Sequence, residues 1–397
     1  PLQDAVEGFF DWLASLVGEH VGNPILASLL GDGILGGVGA VLTFVPQILL
    51  MYLLLALLDA VGYMSRAAFL MDKVMSRAGL EGRAFVAMLS SFACAIPGIM
   101  ATRTIPSAKD RIATMLSAPL ATCSARLPVY VLLVGILVPA GSSLGPVSVR
   151  GLVLFGMYLL GALSAMLAAR VVKKITDRSG TLLPFYMEMP PYRIPTPRSV
   201  GMAMWEPTKA FLRKAGTIIM GATIVIWALT TFPLRSDAEM TAAGVDPSDE
   251  VAATAYNMEH SAAAKVGKAI EPVFAPQGFD WRIDISLIGS MAAREVAVST
   301  LGQVASASDP EDDVSVSESV QKWTYTDGPH QGEKVFTPDT TIAMLIFFAF
   351  ALQCVATIGI LKRESGGWKW PAIAFGYMFV LAWVGSSLAA VITRAVM

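Results

Sequence analysis

RAFVAMLSSFACAIPGIMATR, residues 83–103, holds no charge between its two terminal arginines. About 20 apolar residues cross the ~30 Å hydrocarbon core of a bilayer, so this stretch has the length of a membrane segment. Pro97 has no N–H to give, and in a continuous helix it would free the carbonyl of Ala93, which adjoins Cys94. In lipid such a carbonyl must find a partner or line a polar cavity. A membrane-length run, broken in its middle beside a thiol, is the first pointer to both fold and chemistry.

Working outward, charge vanishes again between Asp32 and Asp59, Arg126 and Arg150, Arg150 and Arg170, Lys214 and Arg235, Asp339 and Lys362, and Lys369 and Arg394. The run that ends at Arg150 begins near Ile112 and contains Arg126. An eighth apolar stretch, 285–304, is pierced by Arg294 and Glu295. The composition agrees: of 397 residues 54% are hydrophobic and only 15% charged, against about 25% charged in soluble domains. The mean hydropathy is +0.59. The expected fold class is an all-α integral membrane protein with about eight membrane segments; a β-barrel would show ~10-residue alternating segments instead.

The same counts exclude several functions. Lys and Arg (29) against Asp and Glu (31) give a net charge of −2, which leaves no basic field for nucleic acid. Three cysteines do not make a disulfide scaffold. No GxxxxGK[ST] occurs, since Ala262 stands where the first glycine would precede Gly267-Lys268, and HExxH is not present either. An enzyme is not expected.

Residues 1–31 read as an amphipathic helix in the interface, with Val6, Phe9, Phe10, Leu13, Leu16 and Val17 at helical spacing. The chain opens on Pro rather than Met, which suggests a piece of something longer. Residues 32–169 form a first repeat with a connecting span, and 170–214, with nine Lys/Arg, a basic cytoplasmic linker. A second repeat with acidic external loops covers 215–364, and a final transmembrane helix 365–397. In each repeat a long helix precedes a broken segment and then a cysteine-bearing helix, so that Cys123 and Cys354 correspond. Inverted repeats with discontinuous helices are how many transporters build a midplane site. The basic loops 66–83 and 103–111 share the cytoplasm only if 84–102 is a re-entrant hairpin; otherwise that segment spans.

Pro128 is expected to free the carbonyl of Ser124, beside Cys123, as Pro97 does beside Cys94. Two broken helices, each with a thiol near a loose carbonyl, resemble a site for a softer first-row cation, and one thiol per helix holds it loosely enough for release. The other reading is that these cysteines pack as small hydrophobes. Intramembrane charge costs at least ~2.5–3.5 kcal/mol per group and marks pathways or ion pairs. Glu295 and Asp59 can therefore draw in a cation, while Arg126 either lines the path or pairs with Glu295. Arg294 adjoins Glu295 but does not face it on a helix. The histidines lie outside the spans.

Seven stretches carry a resemblance: LLDAVGYMSRAAFLMDKVM (57–75), SFACAIPGIMATRTI (91–105), APLATCSARLPVY (118–130), MEMPPYRIP (187–195), KAGTIIM (214–220), GFDWR (278–282) and AAREVAVSTLG (292–302). In this order they are similar to the membrane domain of FeoB-type bacterial ferrous iron transporters. The resemblance implies two Gate-type halves, Fe²⁺ as transported substrate across the bacterial inner membrane, and an N-terminal cytoplasmic G domain, outside these 397 residues, that binds GTP and Mg²⁺. It implies membrane lipid, small Feo accessory proteins and self-association as partners. Its motifs map onto Cys94 with Pro97, onto Cys123 to Pro128, and onto Arg294-Glu295. The chain departs from the family with Ser91 and Ala93 in place of Gly, Gly98 in place of Ala, Asp59-Ala60 in place of Glu-Asp, and Gln353 in place of the Pro before Cys354. Cys94, Cys123, Cys354, Glu295 and Asp59 are the expected metal residues. Pro97, Pro128, Ser91, Ser124, Arg126 and Arg294 are expected along the path. A Gate-type carrier of an organic solute such as a nucleoside is the alternative, and a scaffold that docks a separate GTPase on 170–214 is a third.

Overall fold

The computed structural model describes residues 2–43, 45–139, 141–176, 192, 195–233, 237–242, 256–291, 294, 296–305, 313–325 and 331–396. The helices are α1 (Leu2–His20), α2 (Ile25–Ala60), α3 (Tyr63–Arg77), α4 (Arg83–Ala93), α5 (Ala95–Ala101), α6 (Ala108–Ser117), α7 (Leu127–Leu137), α8 (Val149–Thr176) and α9 (Pro197–Thr231). They continue as α10 (Asp237–Ala242), α11 (Ala262–Phe274), α12 (Trp281–Ser290), α13 (Val296–Val304), α14 (Asp313–Val320), α15 (Pro338–Phe350), α16 (Val355–Ser365) and α17 (Lys369–Val396). The only named strands among the described residues are β1 (Ser143–Leu144) and β2 (Val147–Ser148), a two-rung hairpin. The fold is all-α. Among the described residues five stretches are long and apolar enough to cross a membrane: Ile25–Ala60, Ala108–Leu137, Val149–Thr176, Pro338–Ser365 and Lys369–Val396.

Two compact units share the chain. The first holds residues 1–123, 163–227 and 356–371; the second holds 124–162, 228–355 and 372–397. In the first unit α1 does not stand alone: it runs antiparallel along α2. Gly31 lies beside Ala14, Gly39 beside Phe10, and Val6 and Phe9 share an apolar groove with Val45 and Leu49. Gly39 leaves room for the Phe10 ring, since a Cβ there would stand 3.2 Å from the ring Cγ. The boundary expected at residue 31 falls inside a continuous helical stretch that includes a π-helical turn, Leu29–Leu35. The Trp227 indole on α9 donates to Ser28 Oγ at 2.9 Å. At its other end α2 stops at Gly62, whose φ of +83° suits a residue without a Cβ.

The segment 84–102 is not one helix. α4 has 11 residues and α5 has 7, ~16 and ~10 Å at 1.5 Å per residue, so neither crosses a bilayer alone. They fold back on each other: a Cβ on Gly98 would lie 2.7 Å from the Ala87 carbonyl, which places residues far apart in a straight helix side by side. A hairpin of this kind is what the re-entrant version of the topology requires. The segment 285–304 has the same design. α12 and α13 pack together, Ser286 Oγ donates to the Ala297 carbonyl at 2.9 Å, and Gly289 lies against Thr300.

Each hairpin precedes a broken long helix. α6 ends in the turn Ala118–Leu120, residues 121–123 are non-helical, and α7 follows a turn at Ser124–Arg126. α15 ends at Phe350, residues 351–354 are non-helical, and α16 begins at Val355. The core of the first unit gathers Met75, Leu80, Ala84, Met88, Ile105, Ala113 and Ala169. That of the second is larger and aromatic, with Phe279, Phe347 and Phe274 edge to face among Leu133, Leu301 and Ile283.

Candidate cation path at the helix breaks

Every cysteine of the chain stands where helix stops. Cys94 joins α4 to α5 in an extended conformation, φ −157° and ψ 137°. Cys123 is buried in the non-helical stretch before α7, and Cys354 is half-buried in the one before α16. None of the three is in a disulfide.

The prolines act differently from a kink in a running helix. Pro97 lies in the first turn of α5 and Pro128 in the first turn of α7. There the missing N–H is one that a helix start leaves without an intrahelical partner, and the fixed φ suits the helix. The breaks therefore lie before the prolines, which begin the second helix of each pair. Ser91 is fully buried, and its hydroxyl turns back to the Ala87 carbonyl at 2.8 Å, on the side Gly98 packs against. The structure thus brings Ser91, Cys94 and Pro97 into one hairpin. Ser124 is half-buried and opens the turn after Cys123.

Both intramembrane arginines are buried, Arg126 at 0% and Arg294 at 3% exposure. Arg126 Nη2 donates to the Ala351 carbonyl and Arg294 Nε to the Gln353 carbonyl, each at 3.3 Å. Unwinding deprives those carbonyls of helical partners, and guanidinium groups meet the need. Val355 N–H completes the break by donating to the Met291 carbonyl at 3.0 Å. The Gln353 amide is buried beside Cys354 with neither polar atom hydrogen-bonded. Asp59 is exposed near the end of α2, its carbonyl accepting the Gly62 N–H. Glu295, and with it the expected Arg126–Glu295 pair, lies outside the described residues. Among the described residues no three His, Cys, Asp or Glu side chains gather as a metal cluster.

Sequence reasoning missed the placement of four charged residues. Asp110 on α6 and Lys173 on α8 form a buried ion pair in the first unit. Glu364 on α16 receives Arg103 and, at 3.2 Å, Arg111. Asp284 on α12 is fully buried, yet the apolar run counted from Ile285 left it out. The signal was in reach, since DISLIGS extends the run by one acidic residue. Outside the membrane segments, burial pushes the Glu81 carboxyl up from its ordinary range, with Asp110 and Asp72 adding to the push and Arg83 and Lys173 opposing it.

The family described as nucleoside recognition, Gate, matches residues 41–137 and 212–368, well over half of the chain. The family described as ferrous iron transport protein B C terminus matches residues 154–206. A Porphyromonas gingivalis fusion of Fe(2+) transport protein A with Fe(2+) transporter FeoB is 40% identical over 97% of this chain and 46% of its own length. The Fe(2+) transporter FeoB of Leptospira interrogans is 40% identical over 94% of this chain and 53% of its own. That of Methanocaldococcus jannaschii is 35% identical over 99% and 53%. The chain thus spans about half the length of these curated relatives. No solved structure matches it. Hairpin and broken helix occur twice, inside the two stretches that the Gate family matches, and the chain belongs to that family as a membrane domain of the FeoB type.

Proposed function

We propose that this domain passes Fe²⁺ across the bacterial inner membrane along a path that runs by the helix breaks. The observation that carries the reading is the placement of all three thiols at breaks, two of them in the first unit. Thiolate suits Fe²⁺ better than Mg²⁺ or Ca²⁺, which prefer oxygen shells. Single thiols, without a closed cluster, bind weakly enough for cargo to leave. Cys94 and Cys123 are the proposed ligands, Glu295 and Asp59 the acidic groups, and Cys354 a further thiol. The names of the relatives support iron over the organic solute that the Gate description suggests. A cytoplasmic G domain that binds GTP with Mg²⁺, small Feo accessory proteins and a homo-oligomer complete the proposed system, and one relative is itself a fusion with transport protein A.

Orientation follows from charge. With both hairpins re-entrant, the basic loops 66–83 and 103–111 and the linker 170–214 share the cytoplasmic side. α1, running back along α2, then brings residue 2 toward the side where α2 ends, which suits a cytoplasmic G domain. Anaerobic Fe²⁺ binding to the purified chain, wild type beside Cys94→Ser and Cys123→Ser, tests the path. A tenfold loss in each, about 1.4 kcal/mol, is expected. Unchanged affinity in both variants demotes the thiols to packing, and a wild type deaf to Mn²⁺ and Co²⁺ competition favours the solute carrier.

A further inference from the structure

Asp284 is the least expected residue of the second unit. It is fully buried in the first turns of α12, and neither carboxyl oxygen has a hydrogen-bond partner. An ionised carboxylate in that state loses its water and gains nothing in return, the costliest arrangement a side chain can adopt. Its surroundings make matters worse. The charges that act on it are acidic, Glu271 on α11 and Asp280 at the start of its own helix. The nearby cations are engaged elsewhere: Arg282 with Asp280 at 3.1 Å and with the Thr324 carbonyl, Lys268 with Glu259 at 3.8 Å. The helix N-terminus favours an anion, but Asp280 already holds the cap, accepting the Arg282 N–H. From α13, which packs on the other side, no titratable side chain is available, because Val296–Val304 contains none.

We propose that Asp284 is a proton-binding site at the outer end of the second hairpin, occupied by a proton whenever that hairpin is packed. Neutral, the carboxyl is a small polar group of tolerable burial cost. Ionised, it sets a bare charge against Glu271 and Asp280 inside the aromatic unit, so loss of the proton loosens α12 from α11. The hairpin is thereby a proton-sensitive element, and this holds whether or not the cargo is iron.

The test uses the whole chain in lipid nanodiscs, labelled with ¹³C-aspartate, followed by infrared spectroscopy. The expected result below neutrality is a C=O stretching band of a protonated carboxyl that carries the isotope shift. Raising the pH removes it, and Asp284→Asn lacks it. In Asp284→Glu on the same label the protonated band loses its isotope shift, which decides the assignment even where the Asn variant fails to fold. The folding equilibrium should fall up to tenfold per pH unit above the ordinary aspartate range in wild type, and stay flat across that window in Asp284→Asn. A folded wild type without the band, or a band that survives in Asp284→Asn with its isotope shift, overturns the proposal. So does a band that emerges only after chelation, which identifies a bound metal instead.

Discussion

The first hairpin closes through one glycine, and its dependence on that glycine can be worked out from contacts. A Cβ built on Gly98 would overlap Ser91 Oγ outright and stand 2.7 Å from the Ala87 carbonyl oxygen and 3.0 Å from Ser91 Cβ. Two of these three obstacles belong to the Ser91 side chain, and the third is backbone. Gly98→Ala therefore forces α5 away from α4 and breaks the Ser91 bond to Ala87, and overpacking of this kind costs ~1–3 kcal/mol. The resemblance implies the reverse arrangement for the family, Gly at position 91 and Ala at 98. Ser91→Gly alone loses one buried hydroxyl bond and adds helix entropy, ~1 kcal/mol or more. Combined with Gly98→Ala it clears two of the three obstacles, leaving only a small shift away from the Ala87 carbonyl. The double variant should thus be more stable than the sum of the singles by ~1 kcal/mol or more, within the range contacting residues show. Denaturant titration of the four proteins in one detergent measures this coupling. A coupling energy indistinguishable from zero, or a Gly98→Ala variant as stable as wild type, refutes the hairpin packing and with it the re-entrant topology.

Three further outcomes are expected. Asp110→Asn strands the Lys173 ammonium, 8% exposed, without its charge partner, so the variant should lose ~3–5 kcal/mol of unfolding free energy; a loss under ~1 kcal/mol would mean that water reaches the pair. The raised Glu81 carboxyl lets the folded chain keep a proton that the unfolded chain gives up, so its effect is a stability that falls as pH rises from the ordinary glutamate range to the raised value. Glu81→Gln should remove that fall and gain most above the window, read as thermal midpoints against pH; an unchanged profile would sink the assignment. Single cysteines at Lys73 and Lys109, both exposed, in a background with the native thiols replaced, should react with an impermeant maleimide from the same side of sealed vesicles, whereas a spanning 84–102 segment puts them on opposite sides.

Much of this architecture was legible because lipid imposes a simple rule. Where charge disappears for about 20 residues a membrane segment follows, and the runs around 33–58, 150–170 and 369–394 fall on long helices, while 339–362 falls on the helix pair broken at 351–354. The hairpins were harder, because the length of a run does not show whether the chain turns inside it. What resolves them is the close pairing of small residues, Gly98 on Ala87 and Gly289 on Thr300, which only tertiary geometry reveals. The prolines pointed to the right neighbourhoods through a mechanism that differs in detail, since each starts a helix instead of kinking one. The tie from α1 to α2 was hidden for a related reason: an amphipathic pattern identifies an apolar face and not the surface that covers it. Asp284, Asp110 and Lys173 escaped notice because burial of a charged residue depends on what packs around it.

The two arginines bear most directly on which thiol meets a cation first. Carbonyls released at a helix break are what a passing cation would use in place of water. At the second break, two of the four residues between Phe350 and Val355 already give their carbonyls to Arg126 and Arg294. Each guanidinium brings a full positive charge into a region shielded from solvent, where charges act more strongly than in water. A divalent cation beside Cys354 would meet that repulsion and would find those carbonyls occupied. Cation entry there requires the arginines to withdraw or an acidic group to offset them, and Glu295, next to Arg294 in sequence, is of the right charge for that role. Among the described residues of the first unit the buried cation, Lys173, is matched in charge by Asp110. The order of engagement that follows from charge is Cys94 before Cys354. On this reasoning Cys354→Ser should weaken Fe²⁺ binding less than Cys94→Ser, until Arg294→Gln is added and the second break becomes available to the cation.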